Sequence, residues 1–288
     1  FSDSVHEWGI PPMHPHRRTE TAYRSFTDLL TANMRHAGAL RLDHVMWLER
    51  MFWVPPGATA RDGAYVRYPR DDLLGVLALE SHRHRCLIVG EDLGTVPDGF
   101  RERMEEQWFL PYLFVSFHGF PGGLFRGPDT SPRLALAPPA SHDLAPLRGF
   151  WEGRDVDAMA AAGLVSPADG ESMHATRAIE RRQLVDALAD QQLLDTDLAT
   201  TRVLDADAMQ ALVDAAHQFL AQTPAALVMI NIEDLLDVAD QSNLPGTVDS
   251  YPNWRRRLPQ TIDAAALATR LRETAAIVAR CARSAAIR

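Results

Sequence analysis

Along this chain, apolar residues alternate between helical stripes and short continuous runs. Phe26, Leu29, Leu30 and Met34 recur at helical spacing. Ser25, with Asp28 three residues on, has the form of a capping box ahead of them, and Gly38 supplies a stop. A short apolar run follows, Ala39 to Leu42, closed by Asp43 and His44. The phrase then repeats. Asp71 and Asp72 open a helix with Leu73, Leu74, Leu77 and Ala78 on one face, and Cys86 to Gly90 leads into Glu91 and Asp92. A third helix carries Met209, Leu212, Val213, Ala216, Phe219 and Leu220. It is broken by Pro224 and precedes the run Leu227 to Ile230, which closes near Glu233 and Asp234. Two less regular strand candidates lie between, Tyr112 to Phe117 and Leu134 to Asp143, the latter interrupted by Pro138 and Pro139.

Continuous apolar runs between helices predict parallel strands buried on both faces, hence an α/β fold. About five strands are visible, although a complete (β/α)8 barrel typically needs only ~250 residues. Residues 45–69, a Gly/Pro-rich stretch at 120–139 and a helical insertion at 152–204 take up the remaining length. No repeat or linker divides residues 1–288, which read as one catalytic-barrel portion.

Composition narrows the class. An apolar fraction of 46% and a charged fraction of 23% exclude a disordered or fibrous chain. The net charge of −9 argues against binding to a nucleic-acid backbone, and the Arg255-Arg256-Arg257 run reads as an exposed face. No apolar stretch approaches the ~18 residues of a membrane span. Cys86 and Cys281 match no metal or disulfide spacing and read as reduced core thiols, consistent with a cytoplasmic protein. His14 with His16, and His82 with His84, lack a third ligand and read as solvated surface rather than as metal sites.

Three runs end in an acid, Asp43, Glu91 and Asp143, the first and third with an Arg or His close by. In a barrel, the carboxyl ends of the strands converge on one rim, where active sites form. Cleaving an acetal at neutral pH needs one carboxylate held ionised and one carboxyl held protonated. Arg41 lies two residues before Asp43, on the same strand face, where a guanidinium favours the anion. Partial burial of Glu91 behind Leu87 to Gly90 would favour the acid.

Several segments together resemble the 4-α-glucanotransferase family (amylomaltase, or disproportionating enzyme) of the α-amylase clan. They are Ala39 to His44, Gly63 to Val66 with Tyr68-Pro69, Gly90 to Pro97, Ser141 to Leu144, Leu147 to Trp151, Asn231 to Leu235, Leu244 to Thr247 and Tyr251 to Arg255. The resemblance implies a (β/α)8 barrel with Asp43 as nucleophile ending the fourth strand and Glu91 as acid/base ending the fifth. It further implies Asp143, ending the seventh, as the acid that holds the donor sugar's 2- and 3-hydroxyls. Arg41 would position the nucleophile and His142 would bind the same sugar. Trp8 and Asn253 match segments that contact the glucan chain, and the insertion at 152–204 falls between the seventh and eighth strands. The partners implied are α-1,4-glucans such as maltooligosaccharides and amylose.

The family carries three barrel strands ahead of the segment with Trp8, and these 288 residues do not contain them. The expectation is therefore a barrel lacking roughly its first three strands, inactive or unstable unless that portion is supplied. Two other readings stand beside the transferase: a hydrolase using the same acids with water as acceptor, and a glucan-binding fragment without chemistry. Trp47, Phe52 and Trp53 are further aromatic groups able to stack on sugars or to fill a core.

Overall fold

The structure, a computed structural model, describes residues 12–15, 21–112, 132–194, 198–258 and 263–286. These divide between two compact units, one running to Tyr112 and taking in Leu134–Leu136, the other from Ala137 onward.

In the first unit, helix α1 (Arg24–Met34) buries Phe26, Leu30 and Met34 along one stripe. The buried stripe is narrower than the sequence pattern, because Leu29 is half exposed. The expected cap also differs. The helix opens one residue before Ser25, from Tyr23 in the left-handed region, and no side chain caps it. The Tyr23 hydroxyl donates instead to the carboxylate of Asp72. That acid lies in the first turn of helix α2 (Arg70–His84), where negative charge complements the helix dipole. Leu73, Leu74 and Leu77 of α2 pack with the α1 stripe in one core.

Strand β1 (Ala39–Leu42) follows α1 as expected. The antiparallel hairpin of β2 (Arg50–Trp53) and β3 (Ala64–Arg67) intervenes before α2. Strand β4 (Leu87–Gly90) then pairs in parallel with β1, in the register Leu40↔Ile88 and Leu42↔Gly90. After helix α3 (Phe100–Glu106), strand β5 (Leu110–Pro111) pairs in parallel with β4, giving the order β1-β4-β5. This is the α/β arrangement that the alternating runs predict. The run expected at 112–117 starts earlier, at Leu110, and beyond Tyr112 it lies outside the described residues.

The second unit is mostly helical. Its core joins Leu147, Phe150 and Trp151 of helix α4 (Leu147–Glu152) to Leu184, Leu188, Leu212 and Phe219 of two later helices. Helix α5 (Arg154–Ala161) and the long α6 (Pro167–Asp190) occupy the range expected to be a helical insertion. Ser166 caps α6 by accepting from the Asp169 N–H. Arg177 ties the three helices together, bonding Asp155, Glu180 and the carbonyl of Phe150 from a buried position. Helix α7 (Ala206–Gln222) is capped by Asp205 and buries the predicted stripe.

Two strand expectations shorten. Leu134 to Asp143 contributes only β6 (Leu136–Ala137), since Pro138 and Pro139 lack the N–H groups that would extend a ladder. Leu227 to Ile230 contributes β7 (Leu227–Val228), with the Met229 N–H donating to Ala137 O at 3.1 Å. The short helix α8 (Ile232–Leu235) follows, and α9 (Ala264–Ala286) closes the described chain. Among the described residues, no helix is long and apolar enough to cross a membrane.

Candidate active site

In the first unit, the parallel pairing of β1 and β4 continues past the last strand residues. The Glu91 N–H donates to Leu42 O and the Val45 N–H donates to Glu91 O, both at 2.9 Å. Asp43 and Glu91 are therefore the next residues on neighbouring strands, whose axes lie ~4.8 Å apart. His44 adopts a left-handed conformation (φ 46°), an uncommon state for a residue with a side chain. Its N–H donates to Glu91 Oε2 at 2.6 Å, while the Leu93 N–H donates to Oε1 at 2.8 Å. Glu91 is thus buried and held at both oxygens by main-chain donors. Each oxygen keeps a second lone pair to meet a ligand. Gly90 permits the close packing beneath this point, since a Cβ there would lie 2.4 Å from Met104 Cε and 3.0 Å from Val45 Cγ1.

Arg41 and Asp43 share a strand face as their spacing predicts, with Arg41 Nη1 2.5 Å from Asp43 Oδ1. The Asp43 carboxylate is the open member of the pair, at 60% side-chain exposure against 28% for Arg41. The guanidinium lies over the Tyr112 ring, with its carbon 4.8 Å from the centroid. Burial pushes the Tyr112 phenol up, with Arg41 opposing, so the ring is neutral at physiological pH. Asp92, buried beside Glu91, braces this corner: its Oδ1 accepts from the Tyr112 N–H at 3.2 Å and its Oδ2 from Arg101 Nε at 2.6 Å.

In the second unit, Asp143 does not end a strand. It sits in a turn six residues beyond β6, because the two prolines end that strand early. Asn243 Nδ2 donates to Asp143 Oδ1 at 2.6 Å, and His142 Nε2 lies 3.4 Å from Asp143 Oδ2. The His142 ring stands 5.3 Å from that of Trp254, which is 66% exposed. Asn253 braces the same loop: its Oδ1 accepts from the Leu244 N–H, and its Nδ2 donates to the carbonyl and hydroxyl of Thr247. Nearby, Asp234 is buried and accepts from the Leu147 N–H at 2.6 Å, supplying the start of α4 with a cap that Pro146 cannot. Burial drives its pKa up to about 7 against that bond, and Glu233 adds to the rise.

The sequence-predicted residues accordingly fall into two groups, Arg41, Asp43 and Glu91 in one unit and His142, Asp143 and Asn253 in the other. Trp8 lies outside the described residues. Trp47 packs edge-on against Phe26 in the core, 5.6 Å between centroids, whereas Phe52 meets Tyr65 on the hairpin. Sequence reasoning overlooked Tyr112, Asn243 and Trp254. The signal for Tyr112 was its place within the apolar run that opens at Trp108. Asn243 carried none, because its partner is 100 residues away.

Comparison with known proteins covers nearly the whole chain. The family model described as 4-alpha-glucanotransferase matches residues 1–262. A 4-alpha-glucanotransferase of Haemophilus influenzae is 36% identical over 257 residues, covering 88% of this chain and 36% of the relative. The crystal structure of amylomaltase from Corynebacterium glutamicum superposes with a TM-score of 0.82 at 28% identity, covering 96% of this chain and 40% of that one. An amylomaltase from Streptococcus agalactiae, solved in complex with acarbose, shares the fold at a TM-score of 0.68 and 16% identity, with 94% and 47% covered. The chain thus spans about a third of the length of the curated relative it matches.

Proposed function

The chain belongs to the 4-alpha-glucanotransferase family, and from that premise we propose that it carries the catalytic acids of an α-1,4-glucan transferase working by retaining double displacement. Asp43 attacks the anomeric carbon while Glu91 protonates the departing 4-oxygen, leaving a glycosyl ester on Asp43. Glu91, now a base, deprotonates the 4-hydroxyl of an acceptor sugar, whose oxygen displaces the carboxylate. Configuration at the anomeric carbon is restored by the two inversions. Arg41 holds Asp43 for attack. Asp143, held by Asn243, takes the 2- and 3-hydroxyls of the donor sugar together with His142, and the loop that Asn253 braces borders the glucan chain. No metal or organic cofactor enters this scheme.

The observation that carries the reading is the bonding of residues 42–45 to Glu91, which makes the two acids consecutive on adjacent parallel strands. A retaining glycosidase needs its carboxyl groups ~5–5.5 Å apart, a separation that neighbouring strand ends supply. At the finer level we read the fold as the later strands of a (β/α)8 barrel, with residues 152–204 inserted between its seventh and eighth strands. The earlier strands are not among these 288 residues, and a complete donor site needs them. A cytoplasmic setting fits the free, buried Cys86.

The test is incubation of the chain, supplied with the earlier barrel strands, with maltotriose, following both glucose and longer oligomers. Transfer predicts longer oligomers, with Asp43→Asn and Glu91→Gln each lowering turnover by about 10³-fold or more. Turnover indifferent to Asp43→Asn overturns the assignment. Glucose without longer oligomers identifies a hydrolase, and amylose binding without turnover identifies a binding fragment.

A further inference from the structure

Arg41 has one charged partner, Asp43, and one broad apolar contact, the Tyr112 ring. Its Nε is buried and bonds to nothing else among the described residues, so this part of the guanidinium is held by packing alone. A guanidinium over a ring face is attracted by the ring quadrupole, and the attraction strengthens where water is excluded. The ring itself is fixed from behind. The Tyr112 N–H is shared between Gly90 O at 3.1 Å and Asp92 Oδ1 at 3.2 Å, and Tyr112 pairs in parallel with Leu136 at the sheet edge. Asp92 is in turn anchored by Arg101 through both its carboxylate and its carbonyl. A continuous set of contacts thus runs from Arg101 through Asp92 and Tyr112 to Arg41, ending on the exposed carboxylate of Asp43.

From this geometry we propose that Tyr112 is a positioning residue of the transferase site: its ring seats the Arg41 guanidinium and thereby fixes the direction in which Asp43 faces the anomeric carbon. Arg41 also meets the Tyr112 hydroxyl, and we assign the seating to the ring face because the guanidinium carbon stands over the centroid. The proposal rests on the transferase reading for its catalytic consequence but not for the contact itself, and the two separate experimentally.

Two variants, Tyr112→Phe and Tyr112→Leu, are compared with the unaltered chain by two measurements. The first is side-chain NMR of 15N-arginine-labelled protein, with the Arg41 signal assigned by its loss in Arg41→Lys. Ring currents shift that Nε–H signal upfield in the unaltered chain and in Tyr112→Phe, and the shift disappears in Tyr112→Leu. The second is maltotriose turnover. Tyr112→Leu lowers kcat about tenfold, the equivalent of ~1.4 kcal/mol, with KM within about twofold, while Tyr112→Phe stays within about twofold on both. An Arg41 signal without an upfield shift in the unaltered chain overturns the proposal, whether or not Tyr112→Leu folds. Equal loss of kcat in both variants also overturns it, because the hydroxyl would then be the active feature. Absence of turnover in the unaltered chain is the outcome expected of an incomplete donor site, and the Arg41 signal then decides the seating on its own.

Discussion

Asn253 uses every polar atom of its side chain inside its own loop, in three hydrogen bonds to Leu244 and Thr247. At ~1 kcal/mol net for each bond, Asn253→Ala is expected to destabilise the second unit by ~2–3 kcal/mol, read by urea unfolding. A variant that keeps its stability but raises the KM for maltotriose would instead make Asn253 a direct glucan contact. Asp234 gives a pH signature. Its native pKa of about 7 stands above the ordinary 3.8, so between those values the folded chain holds a proton that the unfolded chain releases. Stability from this group therefore falls as pH rises through that window and levels off above it, by at most ~4 kcal/mol. Asp234→Asn removes that slope and still accepts the Leu147 N–H. Thermal midpoints of the two proteins should lie closer together at pH 5 and further apart at pH 8, with the variant more stable at both. Among single residues, Arg41, Asp43 and Glu91 were legible because strand alternation and the end of an apolar run are local signals. Asn243 and Trp254 were not, because each gains its meaning from a partner about a hundred residues away.

At the scale of elements, the helices were the readable part. The stripes of α1, α2 and α7 all bury, though Leu29 falls outside the first. Strand lengths were not readable, because apolar character continues where the ladder does not. Pro138 and Pro139 stop β6 after Ala137, so Asp143 sits in a turn rather than at a strand end. Close approach between elements was equally hidden. Gly149 lies in α4 against the chain at Ala239, where an added Cβ would stand 2.0 Å from the Ala239 carbonyl oxygen. At Gly90 the nearest obstacle is the end of the flexible Met104 side chain. Gly149→Ala is thus expected to cost ~2–3 kcal/mol despite the better helix propensity of alanine, and more than Gly90→Ala, in parallel chemical denaturation. The reverse order would show that the main chain at Ala239 yields more readily than Met104.

For the molecule as a whole, net charge separates the two kinds of polymer that the Arg255-Arg256-Arg257 run invites. Arg256 is engaged with Asp240 at 2.7 Å and lies over the Tyr251 ring, so part of that run is already neutralised. With −9 overall and the uncharged glucan that we propose as partner, the KM for maltotriose is expected to change less than about twofold between 50 and 200 mM salt. A nucleic-acid binder of ordinary footprint would lose about 10³ in affinity over the same range. The main chain of residues 42–45 and 91–93 fixes Glu91 and the strand end that carries Asp43, at a distance along the chain from the tip of the intervening hairpin, residues 54–63. That tip is consequently a place for grafting: foreign loops of other lengths, carrying new acceptor preferences, can be installed there while the reacting groups keep their spacing.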